Sequence, residues 1–133
     1  SIKKHVSGKY DLSIIEGLPL GSNYEIINKN ALEISHKNGN SKHRSELCTL
    51  YINENQEKFK ILKLKPPKNM IRPDIRLTVD TPEDLIISRL IYKKLGNTKK
   101  IVSLQKIIEF LDKNPEILKI NSSIHLGVSR IWG

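Results

Sequence analysis

Apolar residues recur along this chain at two spacings, and the switches between them outline its elements. Gly8, Gly17, Pro19 and Gly21 punctuate the opening third with turns, so Tyr24–Ile27 reads as a short strand in a turn-rich region. A helix follows that Asn30 can cap, with Glu33 placed to complete a capping box. Asn38-Gly39 is its stop, the glycine offering a left-handed exit. Leu47, Leu50 and Tyr51 share one side at helical spacing, which predicts a second helix from about Ser45. "EKFKILKLK" has the density of large apolar side chains expected of a strand, and Pro66, Pro67 and Pro73 then impose an irregular basic loop, "KPPKNMIRPD". Ile75–Val79 alternates as a strand does, and Pro82 to about Leu95 reads as a helix ended by Gly96-Asn97. Ser103 can cap a last helix with the stripe Leu104, Ile107, Ile108 and Leu111, stopped at Asn114-Pro115. The tail from Asn121 has no strong period, and its Trp132 is expected to be packed or covered by a partner. Strands alternating with helices predict α/β or α+β layers, with the strands in one sheet.

The junction "RLTVDTPEDL" carries the main candidate chemistry. Side chains alternate across a strand, so Ile75, Leu77 and Val79 should face the core while Arg76, Thr78 and Asp80 face the other way. Thr81 suits the N-cap and Pro82 the first helical position. Glu83 and Asp84 put negative charge in the first turn, and Thr81 with Asp84 imitates a capping box. None of these roles needs Asp80. A carboxylate at the carboxyl end of a strand, in line with Arg76 and Thr78, lies where open α/β sheets place their ligands. A ligand or metal role for Asp80 therefore stands beside the plainer reading of an exposed structural carboxylate.

With 133 residues the chain is expected to form a single domain around one core, and 38% apolar residues exclude disorder. A single cysteine, Cys48, cannot form an internal disulfide, which makes a cytoplasmic setting the expectation, and no apolar run is long enough to cross a bilayer. The net charge of +9 would attract polyanions. It is spread through lysines, however, with few arginines and aromatics to read bases, so nucleic-acid binding is permitted by the charge and not expected from it. His5, His36, His43 and His125 lack zinc-ligand spacing, and His36, His43 and Cys48 make a weak cluster at most. "KKLGNTKK" suits a solvated helix end and is also a candidate phosphate or nucleic-acid patch.

"RLTVDTPEDLIISRLIYKKL" resembles the C-terminal part of the cytidylyltransferases that activate acidic or modified sugars. The nearest likeness is to the spore-coat polysaccharide biosynthesis branch, relatives of the CMP-Kdo and CMP-sialate synthetases. Three further segments match in order: "LPLGSNYEIINKNALE" at Pro19, Gly21, Glu25, Ala31 and Leu32, then "RSELCTLYINENQEKFKI", then "VSLQKIIEFLDKNPEILKIN". The resemblance implies the C-terminal part of a nucleotide-diphospho-sugar transferase fold, a three-layer α/β/α architecture. The implied reaction joins CTP to a sugar or sugar acid for surface polysaccharide synthesis, in a cytoplasmic homodimer. It also implies that Asp80 helps bind a catalytic Mg²⁺, with a second aspartate supplied by the nucleotide-binding half. Glu25, Glu46, Arg76 and Thr78 become candidate substrate-side residues; for Glu25 and Glu46 the plainer readings are a strand-edge charge and a first-turn helix charge.

Two departures bear on substrate: Leu47 stands where the family has histidine, and Leu50 where it has proline. Nothing in the chain resembles the family's glycine- and basic-rich CTP loop. The expectation is therefore that this is the sugar-side half of an enzyme, with no catalytic residue active alone. The competing expectation is a basic nucleic-acid-binding or interaction module without catalysis.

Overall fold

The structure, a computed structural model, describes residues 1–44, 48–96 and 100–122. The sequence features at Ser45, Glu46, Leu47, Asn97, His125 and Trp132 lie outside the described residues. The chain divides into two compact units, the first comprising 1–16 and 23–66, the second 17–22 and the residues from 67 onward.

The first unit is built on a three-stranded mixed sheet. Its strands are β1 (Leu12–Ile15), β2 (Tyr24–Ile27) and β3 (Ile61–Leu64), in the order β2-β1-β3. β1 pairs antiparallel with β2, Leu12 opposite Ile27, and parallel with β3, Leu12 opposite Ile61. The central strand has no alternating signature because it is buried along most of its length, including Ser13, whose hydroxyl lies 2.7 Å from Nδ1 of buried His5. His5 sits on a short helix, α1 (Ile2–Ser7), that the sequence pattern did not reveal. α2 (Lys29–Asn38) starts two residues earlier than the pattern suggests. Asn28, not Asn30, is its cap, and the Asn28 side chain accepts from the Asn30 N–H at 2.9 Å. Gly39 ends α2 with φ −75°, so the left-handed exit is not used. The second expected helix is the short α3 (Leu50–Glu54), and the lysine-rich strand is confined to β3 because Gln56–Lys58 form a 3₁₀ turn before it. Leu12, Ala31, Tyr51, Ile52 and Phe59 make the core, with the Tyr51 and Phe59 rings edge to face at 6.2 Å.

The second unit packs three helices around Ile75: α4 (Pro82–Leu95), α5 (Leu104–Lys113) and α6 (Pro115–Lys119). α5 follows its stripe, burying Ile108 and Leu111, and Pro115 both ends that helix and opens the next. Arg72, in the proline-rich loop, forms ion pairs with Asp74 and with Asp112 of α5, which ties the loop down.

The expected strand Ile75–Val79 is a correction. It does not form a strand; it makes one parallel bridge, Arg76 to Leu20. Ile75 is fully buried and Leu77 partly so, but Val79 is 54% exposed. The partner is a tight turn, closed by the Ser22 N–H donating to Pro19 O, which can present only Leu20 for pairing. Leu20 donates to Ile75 O and accepts from the Leu77 N–H, each at 2.8 Å. Gly21 sits at φ 91° in this turn, and a β-carbon there would lie 2.9 Å from both the backbone nitrogen and Cγ2 of Thr78. Gly21→Ala should therefore strain the turn and push Thr78 away. The expected cost is about 2 kcal/mol, read as a lower urea midpoint. An unchanged midpoint would show that residues 75–80 do not depend on this approach.

Candidate functional site

The residues before α4 converge on Asp84. Its side chain has no exposed surface, and the Arg76 guanidinium grips both of its oxygens, Nε to Oδ1 and Nη2 to Oδ2, at 3.0 Å each. The Asp80 and Thr81 backbone N–H groups donate to Oδ2 at 3.1 and 3.2 Å, and Asn121 Nδ2 donates to Oδ1 at 3.0 Å. The Asp84 N–H donates in turn to Thr81 Oγ1, completing the capping box seen in the sequence. Arg76 holds the Asp84 carboxyl well below the usual carboxylate range, against the opposing effect of burial. Asp84 raises the Arg76 guanidinium in return.

Asp80 stands at the edge of this network. Its Oδ2 accepts from Arg76 Nη2 at 2.7 Å, and its side chain remains 55% exposed. One guanidinium thus faces two carboxylates, which leaves one negative charge at the junction. An exposed carboxylate in a net-negative cluster fits a hard cation. No three His, Cys, Asp or Glu side chains converge on a metal site among the described residues, so a metal here would complete its shell from water and phosphate, as Mg²⁺ does. Thr78, between Arg76 and Asp80, has a buried hydroxyl with no hydrogen-bond partner among the described residues.

The structure therefore brings Arg76 and Asp80 into a direct ion pair beside Asp84, with Thr78 on the same segment. Glu25 is carried by β2 of the first unit, and Glu46 lies outside the described residues. Burial pushes the Glu25 carboxyl up, and Glu16 adds to the rise. The Thr49 hydroxyl lies near enough to oppose that rise, although it makes no hydrogen bond of standard geometry. Two residues in this network escaped the sequence reading. Spacing marks Asp84 as a first-turn charge and the capping-box partner of Thr81, and leaves Asn121 at the head of an aperiodic tail. The signal for Asp84 was present: an arginine on the same side as Asp80, just ahead of a helix whose cap residue bonds Asp84.

His36, His43 and Cys48 line one cavity of about 280 Å³ with Arg44, without converging as a metal site among the described residues. His43 Nδ1 accepts from the Asn40 N–H, so Nε2 carries the proton directed at Glu54, 2.8 Å away.

Comparison with known proteins bears on this site. No family model matches the chain. It is 36% identical over 119 residues to an uncharacterized protein of Methanocaldococcus jannaschii, covering 90% of this chain and 48% of that protein. It is 32% identical over 116 residues to the spore coat polysaccharide biosynthesis protein SpsF of Bacillus subtilis, covering 86% and 48%. Among solved structures, a cytidylyltransferase from Leptospira borgpetersenii serovar Hardjo-bovis superimposes with a TM-score of 0.72 at 25% identity, covering 84% of this chain and 46% of that one. The chain spans about half the length of the curated relatives it matches.

Asp84 binds fewer protons folded than unfolded, so its contribution to stability is complete above the ordinary carboxylate pKa, near 4, and declines as the pH falls further. Asp84→Asn should cost about 3 kcal/mol at pH 7, because Arg76 loses its main partner. In chemical denaturation the gap between variant and wild type should narrow below about pH 4. A gap independent of pH would mean that Asp84 is not ionised in the folded chain.

Proposed function

We propose that this chain, similar in sequence to SpsF of Bacillus subtilis and in fold to a solved cytidylyltransferase, supplies the sugar-side, metal-completing part of a nucleotidyltransferase. The reaction is the coupling of CTP to a sugar or sugar acid for surface polysaccharide synthesis. The observation that carries this reading is the Asp80 carboxylate, exposed beside α4 and held in place by Arg76 while Asp84 absorbs most of the guanidinium.

In this reading Asp80 contributes one oxygen to Mg²⁺, and a second aspartate comes from the nucleotide-binding half implied by the resemblance. Mg²⁺ held there would offset charge on the triphosphate; the sugar oxygen would bond to the α-phosphorus as the bond from that phosphorus to the β-phosphate oxygen breaks and pyrophosphate leaves. Arg76 restrains the Asp80 side chain. The Thr78 hydroxyl, buried without a partner, costs about 1–3 kcal/mol unless water or a substrate oxygen satisfies it, which supports a place for Thr78 at the substrate edge. Glu25, protonated more readily than a free carboxylate, is suited to hydrogen-bond a sugar hydroxyl. Leu47 replaces a family histidine, so if that histidine touches substrate the chain serves a different sugar or has lost activity. A homodimer remains part of the proposal through the resemblance.

Two measurements test the proposal. The isolated 133-residue chain should release no pyrophosphate from CTP with any sugar acid. With the nucleotide-binding half present, Asp80→Asn should lower Mg²⁺-dependent pyrophosphate release by at least about a hundredfold. Its melting temperature should change by no more than about 2 °C, since a half-exposed ion pair contributes little. Full activity of that variant would remove Asp80 from the metal site. Steeply salt-dependent binding to random duplex, with no turnover, would favour a nucleic-acid module instead.

A further inference from the structure

Between the end of α4 and the start of α5 lies a cavity of about 370 Å³, within the size range of small-molecule sites. Its lining includes Lys94, Lys100 and Lys106, together with Ile101, Val102 and Ser103. The three lysines come from separate stretches: the last turn of α4, a residue after it, and the first turn of α5. Among the described residues none of them forms an ion pair, whereas Arg72 and Arg76 of the same unit are each matched by two carboxylates.

The charges are also placed against local preference. Ser103 caps α5, and its hydroxyl accepts from the Lys106 N–H, so Lys106 stands at the positive end of the helix dipole. No acidic residue occupies the first turn of α5, unlike those of α4 and α6. Like charges gathered around one concavity repel each other, and a multivalent anion would relieve that repulsion. An anion with several acceptor oxygens can engage several ammonium groups together. Among the described residues the wall offers aliphatic side chains and no aromatic ring for a base to stack on, which favours a compact phosphoryl group over a nucleobase. The 14 residues of α4, at about 1.5 Å each, separate this cavity from Asp80 by roughly 20 Å, so it is not the same site.

We infer that this lysine-lined cavity binds a small soluble phosphorylated anion, of the phosphate or pyrophosphate class, at a site separate from the Asp80 junction. The inference does not depend on the cytidylyltransferase reading.

The test is a ¹H–¹⁵N NMR titration of the chain with inorganic phosphate and, separately, pyrophosphate at constant ionic strength. Saturable shifts confined to the surroundings of Lys94, Lys100 and Lys106, with a Kd below about 1 mM for pyrophosphate, are expected. The triple variant K94A/K100A/K106A should bind at least about tenfold more weakly. The charge-matched triple K3A/K37A/K63A, altering exposed lysines elsewhere, should bind as wild type does. Non-saturating shifts, or shifts spread over all the lysines, would overturn the inference, and the wild-type map decides this without any variant. Equal weakening by both triples would reduce the effect to net charge and overturn it as well. Binding to phosphatidic-acid vesicles with no response to free pyrophosphate would also overturn it, by assigning the lysines to a membrane surface.

Discussion

A carboxylate without exposed surface stays ionised only where hydrogen bonds and opposite charge replace its lost water. Asp84 meets that condition with both Arg76 donors, two backbone N–H groups and the Asn121 amide. These partners come from the extended segment, from the first residues of the helix cap and from the end of the described chain. The junction before α4 and the distant Asn121 are therefore fixed relative to one pair of oxygens. The geometry of Asp80 follows from it, because the Asp80 backbone donates to Asp84 and its side chain meets the same guanidinium. An ion pair of this kind contributes little net stability compared with apolar packing. It does penalise any arrangement that separates its members, which is how it can define a junction.

The second constraint is steric. Among the described residues, the backbone of residues 75–80 is held by no sheet, but by the Leu20 bridge, the close approach of Gly21 to Thr78 and the bonds that Asp84 and Asn121 make to the segment. The segment leaves its pairing after Leu77, which explains why Val79 emerges and why Asp80 reaches solvent one step later. The departure from regular strand geometry is thus what exposes the carboxylate that the proposed function uses. Irregular backbone at a candidate site is in keeping with local rules being broken where function requires it.

What was legible in the sequence was local. Thr81, Pro82 and Asp84 announce the start of α4, and the stripe with Ser103 announces α5, because capping and helical period act over a few residues. The outward side of Asp80 was inferred from an alternation that reports faces, although the strand itself does not form. β1 was hidden because its "LSII" is buried on both faces, with Ser13 satisfied by a histidine that precedes it on another element. Ile75–Val79 was over-read, since alternation reports which faces are apolar and not whether a neighbouring strand exists. The role of Asp84 was legible only in part: the capping box and Arg76 lie nearby in sequence, whereas its contact with Asn121 is not a matter of spacing. Asn121 lies 37 residues away, and nothing about its position in "LKINSS" marks a buried amide.

The two ends of α4 show how a lysine-rich chain can still discriminate between ligand charges. At its N-terminus, the dipole favours anions, and Asp84 meets that preference while being neutralised by Arg76. Asp80 is the carboxylate in excess. At its C-terminus, Lys93 and Lys94 complement the dipole, but Lys100 and Lys106 go beyond it and oppose the dipole of α5. Charges that only served the helices would match the poles and stop there. The surplus at each end has the sign suited to a different guest, a divalent cation at one and a phosphorylated anion at the other, separated by the length of a helix whose buried Ile87 and Ile91 fix it to the core. A net charge of +9 describes neither place, because the local balance at Asp80 is negative and the local balance at Lys100 is not compensated.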